Sequence, residues 1–206
     1  MNAPFLLDKK MVLPAWLHEL DTKLELAING SHDPLLDFIF YWASYKWTWI
    51  PFYAWLLYIL YRNYGKKIVY FLPIIAAMTA TTDQLSTLLK NTTLRFRPCH
   101  EPALQDLIHL VNNACGGKYG FVSSHAANTM ALAVFVCLVL PSKYKNLRFG
   151  LLAFVLINGY SRMYLGAHYP LDIGCGWILG FIIALLFSSL MKIILNLTDQ
   201  IKSRHE

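Results

Sequence analysis

IGCGWILGFIIALLFSSLM, residues 173–191, carries neither an acid nor a base. A helix needs about 20 apolar residues, at 1.5 Å of rise each, to cross a bilayer. The run therefore reads as a transmembrane helix. Immediately before it stands Ser161-Arg162-Met163-Tyr164-Leu165-Gly166-Ala167-His168-Tyr169-Pro170-Leu171-Asp172. This segment sets a cation, an imidazole and a carboxylate at one membrane boundary. Phosphate transfer needs those three groups: one to hold the anion, one to attack, and one to orient the attacker.

Working outward, four more apolar stretches appear. Residues 38–61 contain one lysine, Lys46, and residues 68–89 contain one acid, Asp83. Residues 121–140 have no charged side chain, and residues 149–161 are short but continue apolar beyond Arg162. Five transmembrane helices follow, in an all-α polytopic membrane bundle. The 206 residues form one domain, 56% hydrophobic and 15% charged. Soluble domains carry about 25% charged residues, and apolar runs this long argue against a soluble bundle with buried helices. The net charge of +6 is spread without a basic run interleaved with aromatics, so nucleic acid is not an expected partner.

Residues 1–37 are too often interrupted by Glu19, Asp21, Lys23 and Glu25 to span. Trp16, Leu17, Leu20, Leu24 and Ile28 predict an amphipathic helix lying on the interface. No cleavable signal peptide is expected, and a dip of residues 34–45 into the membrane stays open. The short loops supply orientation. Arg62, Lys66 and Lys67 fall in one; Lys143, Lys145 and Arg148 fall in another; Lys192, Lys202 and Arg204 follow the last helix. The positive-inside rule puts these in the cytoplasm. The loop 90–120 and the segment 162–172 then lie outside. The N-terminus does too, although Lys9 and Lys10 fit that less well.

Two further motifs fall on that outer side. Lys90-x6-Arg97-Pro98 ends the second span; seven residues are nearly two turns, so both cations are expected on one helix face. Binding to lipid headgroups is the competing reading for the pair. Ser123-Ser124-His125 opens the third span, where serines cap a helix and free amides favour an anion. His125 is then a proton donor beside that anion, or a plain interfacial histidine. In the opening motif, Asp172 lies four residues after His168 and fixes its tautomer, while Arg162 offers a planar fork of donors to phosphate.

Together, Lys90-x6-Arg97-Pro98, Ser123-Ser124-His125 and Ser161-Arg162-x5-His168-x3-Asp172 resemble the three-part signature of the type 2 phosphatidic acid phosphatase superfamily. The resemblance spans residues 90–172. It departs from the family's Pro-Ser-Gly-His, since Val122 and Ser124 stand for proline and glycine. The resemblance implies a metal-independent phosphatase with no cofactor. His168 would form a phosphohistidine, Asp172 would orient it, and His125 would protonate the leaving oxygen. Lys90, Arg97, Arg162, Ser123 and the Ser124 amide would hold the phosphate.

Cys99-His100-Glu101 is too compact for a metal site by itself. Asp83 is expected to pair internally with Asn128 or Asn158, Arg95 to face headgroups, and His100 and His109 to be solvated or to lie at the pocket rim. Cys99 and Cys115 share the outer loop, where an oxidising compartment permits a disulfide. Gly176 and Gly180 have the spacing of a close helix contact, within the monomer or at a dimer face. The expected substrate is a lipid phosphate in a bacterial inner membrane, approached from the extracytoplasmic side: undecaprenyl pyrophosphate, phosphatidylglycerol phosphate, phosphatidic acid or a phosphate of lipid A. A lipid phosphotransferase using the same intermediate, and a non-enzymatic lipid-phosphate binding or transport protein, are the alternatives.

Overall fold

Residues 13–112 and 115–203 are described by a computed structural model. Lys9, Lys10 and Arg204 lie outside these residues, as does the side chain of Lys202. Among the described residues seven α-helices run in order: α1 (Ala15–Asn29), α2 (Pro34–Ser44), α3 (Ile50–Tyr64), α4 (Ile68–Thr93), α5 (Ser124–Val139), α6 (Leu147–Tyr164) and α7 (Pro170–Ser203). No strand occurs among the described residues. The five predicted spans correspond to α3 through α7. Two continuous helical stretches, Lys46–Thr93 and Pro170–Ile201, are long and apolar enough to cross a membrane.

One predicted boundary needs correction. Residues 38–61 are two helices rather than one, with a break at Tyr45 and a single 3-10 turn, Lys46–Trp49. Pro51 sits in the first turn of α3, where its missing N–H costs nothing. The Trp49 indole N–H donates to the Ala43 carbonyl at 2.8 Å and holds the corner. α2 itself starts cleanly: the Asp33 carboxylate accepts from the Leu35 amide at 2.8 Å and Pro34 follows the cap.

Lipid is as apolar as leucine, so membrane helices associate through packing and hydrogen bonds. Large apolar side chains accordingly face outward, Phe149, Ile178 and Leu186 among them. Inside, Phe71, Phe135, Phe154, Leu60 and Met191 tie α3, α4, α5, α6 and α7 into one core. The closest approach is α5 against α7. A Cβ on Gly176 would stand 2.7 Å from the Ser123 carbonyl oxygen, and one on Gly180 would collide with the Ala127 carbonyl. Both glycines thus serve a contact within the monomer.

The two ends of the bundle differ. At one, the Tyr64 hydroxyl donates to the Val139 carbonyl and Lys67 pairs with Asp199. This end gathers the short basic loops. At the other, Lys90, Ser123, Ser124 and the α6–α7 connection come together. α1 packs there against α6 and α7. Its exposed side carries Trp16, Leu20 and Leu24, and its buried side carries Asp21, Glu25 and Asn29. The helix is amphipathic, with the polar stripe turned to the protein.

Candidate active site

His168 lies in the short connection between α6 and α7. Gly166, with φ +66°, lets the chain reverse there, and the His168 amide donates to the Arg162 carbonyl at 3.2 Å. Pro170 opens α7, which sets Asp172 in its first turn, one turn beyond His168. His168 Nδ1 is 3.4 Å from Asp172 Oδ2, and Nε2 is 2.7 Å from Arg97 Nη1. A guanidinium only donates, so Nε2 carries the lone pair and Nδ1 carries the proton. The nitrogen suited to attack therefore points at the cations.

Burial, then the neighbouring Arg97, Arg162, His125 and Lys90, hold His168 well below the ordinary imidazole range. The ring is therefore neutral at physiological pH. Arg97 is itself drawn down by burial, with Asp172 opposing. Its Nη1 also donates to the Ala167 carbonyl at 3.1 Å, while its Nε finds no partner. Arg162 donates to the Ser44 hydroxyl at the end of α2, and its Nε is likewise free. Lys90 donates to the Ser124 hydroxyl. Unspent guanidinium donors beside a neutral imidazole suit a phosphate dianion.

Ser123 is the N-cap of α5, its hydroxyl accepting from the Ala126 amide at 3.4 Å. Its own amide donates to the Asp172 carbonyl at 3.1 Å, which locks the starts of α5 and α7 together. His125 follows in the first turn of α5. With Ser124 it lines a cavity of about 450 Å³, whose walls include Trp49, Tyr53, Leu56 and Leu132 together with Lys46, Asp83 and Asn128. The cavity runs from the phosphate side into the apolar bundle, so it offers room for the leaving half of a lipid.

Lys90 and Arg97 do not share a helix face as the spacing suggests. Leu94 takes a left-handed conformation, φ 51°, and ends α4 after Thr93. Arg97 reaches the site from the loop instead. That loop is stapled by a Cys99–Cys115 disulfide, so these two sulfurs are bonded to each other beside His100. Arg95 is the larger surprise. It is buried rather than at headgroups: Nη1 bonds Asp172 Oδ1 at 2.6 Å, Nη2 bonds Asp21, and the guanidinium lies 4.2 Å from the Tyr169 ring centre. Asp21 also accepts from the Leu171 amide at 2.8 Å. Thus α1 braces the His168–Asp172 pair through Arg95.

Sequence reasoning also missed Gly120, where a Cβ would sit 2.9 Å from Asp172 Oδ2 and 3.1 Å from Arg97 Cγ. Only a glycine fits so close to the pair. His109 is a tether, bonded to Asp37 at 2.9 Å and stacked on His32. Asp83 accepts from Asn128 Nδ2 at 2.7 Å, one of the two expected partners.

A family model of the PAP2 superfamily matches residues 71–194, which include every one of these catalytic candidates. The chain belongs to the PAP2 superfamily. It is 38% identical over 168 residues to a lipid A 4'-phosphatase of Bacteroides thetaiotaomicron, covering 80% of this chain and 74% of that protein. It is 34% identical over 170 residues to a lipid A 4'-phosphatase of Porphyromonas gingivalis, covering 82% and 71%. The PAP2-type phosphatidylglycerolphosphate phosphatase of Bacillus subtilis has the same fold, with a TM-score of 0.67 and 21% identity over 88% of this chain and 89% of that one. This PAP2 protein is a membrane lipid phosphatase, hence a phosphoric ester hydrolase.

Proposed function

We propose that this chain removes the 4'-phosphate of a lipid A-type acylated disaccharide through a phosphohistidine on His168. The observation that carries the chemistry is the neutral His168 held between Asp172 on Nδ1 and Arg97 on Nε2. The substrate class is supported by likeness to two lipid A 4'-phosphatases over four-fifths of the chain.

An arriving phosphate draws Arg97 away from the Nε2 lone pair onto its own oxygens, shared with Lys90 and Arg162. Nε2 then attacks phosphorus in line, and the bond to the leaving alkoxide breaks. His125, which takes up a proton when the phosphate dianion binds beside it, supplies that proton to the leaving oxygen. Asp172 and Arg95 hold the positive imidazole that results. Water, deprotonated by His125, attacks the phosphohistidine next, and phosphate leaves with His168 neutral again. The three cations offset the developing charge, so no metal ion enters the scheme.

The functional unit extends from α1 to α7, because Asp21 of α1 holds Arg95 against Asp172. The site end of the bundle lies away from the basic loops, which supports an extracytoplasmic position in a bacterial inner membrane. The test is phosphate release by purified protein across a panel: a lipid A precursor, undecaprenyl pyrophosphate, phosphatidylglycerol phosphate and phosphatidic acid. The lipid A precursor is expected to give the highest kcat/KM, with vanadate inhibiting. His168→Ala is expected to abolish turnover while the protein stays folded. Full activity in that variant sinks the mechanism; a different preferred lipid sinks the substrate reading alone.

A further inference from the structure

Inside the cavity, two turns of α4 below Lys90, sits a carboxylate in a wall that Leu56, Leu60, Leu132 and Val136 share with Lys46, Thr79 and Asn158. Asp83 and Asn128 both line that cavity, and Asn128 Nδ2 donates to Asp83 Oδ1 at 2.7 Å. A charge at membrane depth is costly and usually marks function. The orientation of the amide follows from chemistry: a carboxylate accepts only, so Asn128 must turn its NH₂ toward Asp83. Its Oδ1 is thereby left facing elsewhere, buried and without a hydrogen-bond partner. The buried atom of this pair left without a partner is an acceptor. Whatever completes it must bring donors.

Position narrows the choice. α4 and α5 are bridged twice, by Lys90 to Ser124 and by Asp83 to Asn128. The second bridge lies four residues further along α5, about 6 Å, and seven residues back along α4, about 10 Å. Phosphate occupies the first bridge in the proposed mechanism. The second then meets the substituents nearest the ester oxygen on the leaving alcohol, before the hydrocarbon chains begin. Diacylglycerol and polyprenyl groups carry no N–H or O–H there. An acylated amino sugar carries both.

We propose that Asp83 and Asn128 form a subsite for a hydrogen-bond donor on the leaving alcohol, the amide N–H or hydroxyl of an acylated sugar. The inference rests on the lipid A-type reading above and names the residues that select for it. A site built to bond a donor rejects the analogue lacking it, because its buried acceptor, here Asn128 Oδ1, is then unpaired.

The experiment uses the full-length purified protein and two synthetic probes. One is a diacylated glucosamine 4-phosphate. The other is its donor-free analogue, with ester oxygen in place of the amide and methylated hydroxyls. The wild type is expected to prefer the first by about tenfold or more in kcat/KM. Asp83→Leu and Asn128→Leu are each expected to bring that ratio toward one. The isosteric Asp83→Asn serves where leucine prevents folding, and is expected to lower the ratio as well. A wild-type ratio near one, or a ratio unmoved by the variants, overturns the inference and leaves the substrate reading standing. Equal loss on both probes does the same, and makes the pair a helix clasp only. A wild type that turns over neither probe but does release phosphate from a polyprenyl pyrophosphate overturns both.

Discussion

Glu25 is fully buried on the polar side of α1, and neither carboxyl oxygen has a hydrogen-bond partner. Burial, then the charges of Asp172 and Asp21, push its pKa well above the usual carboxylate range. It is therefore a neutral acid in the folded protein beside the two carboxylates that Arg95 bridges. The sign of its linkage follows. The unfolded chain loses this proton near the ordinary glutamate value of about 4.3, whereas the fold keeps it. Stability thus falls as pH rises from there, until the raised pKa is reached. Glu25→Gln keeps the shape and cannot ionise in either state. Its stability advantage over the wild type is expected to be absent near pH 4 and to grow by about 1.4 kcal/mol per pH unit through that window. Thermal unfolding in detergent between pH 4 and pH 8 measures it; a constant difference across the series would show that Glu25 ionises alike in both states.

At the scale of elements, helices were readable and their polar contacts less so. Five apolar runs mark α3 to α7 because length and the absence of charge suffice for a bilayer. His168 and Asp172 were legible as well, since four residues of spacing bring them together whatever the rest of the chain does. The spacing from Lys90 puts Arg97 on a helix face, because nothing about a leucine announces the left-handed turn at Leu94. Arg95 looks locally like a headgroup contact, because its carboxylate partners lie 74 and 77 residues away. Long-range ion pairs leave no local period. The loop after α4 is a case where element and chemistry meet. Cys99–Cys115 closes it, and within it the Arg97 amide bonds the Lys118 carbonyl at 3.1 Å. A closed loop of this size restrains the chain by about 3 kcal/mol. Reduction is expected to raise KM several-fold by freeing Arg97, with a smaller effect on kcat because the His168–Asp172 pair sits outside the loop. Cys115→Ala should match the reduced wild type; unchanged KM in both would mean that the Phe96–Tyr119 pairing positions Arg97 unaided.

Across the whole molecule, the site depends on how α7 docks on α5. Asp172 belongs to α7, Ser123 and His125 to α5, and the link between them is the Ser123 amide on the Asp172 carbonyl at 3.1 Å. Two turns below, Gly180 brings the helices close enough that a methyl group would strike the Ala127 backbone. Backbone cannot step aside as a side chain can, so α7 itself has to move. Gly180→Ala gains about 1 kcal/mol in helix propensity, and the overpacking opposes it by about 1–3 kcal/mol or more. The expected result is a lower Tm together with a kcat reduced about tenfold or more, since small misplacements of reacting groups are costly. Gly174 lies on the same helix with no atom of another element within 4 Å of a new Cβ, so Gly174→Ala is expected to keep kcat and to hold or raise Tm. Comparing the two variants separates crowding at the α5–α7 contact from the general effect of replacing a helical glycine. If Gly180→Ala lowers Tm and leaves kcat intact, the loops alone set the geometry of His168, and helix docking contributes stability only.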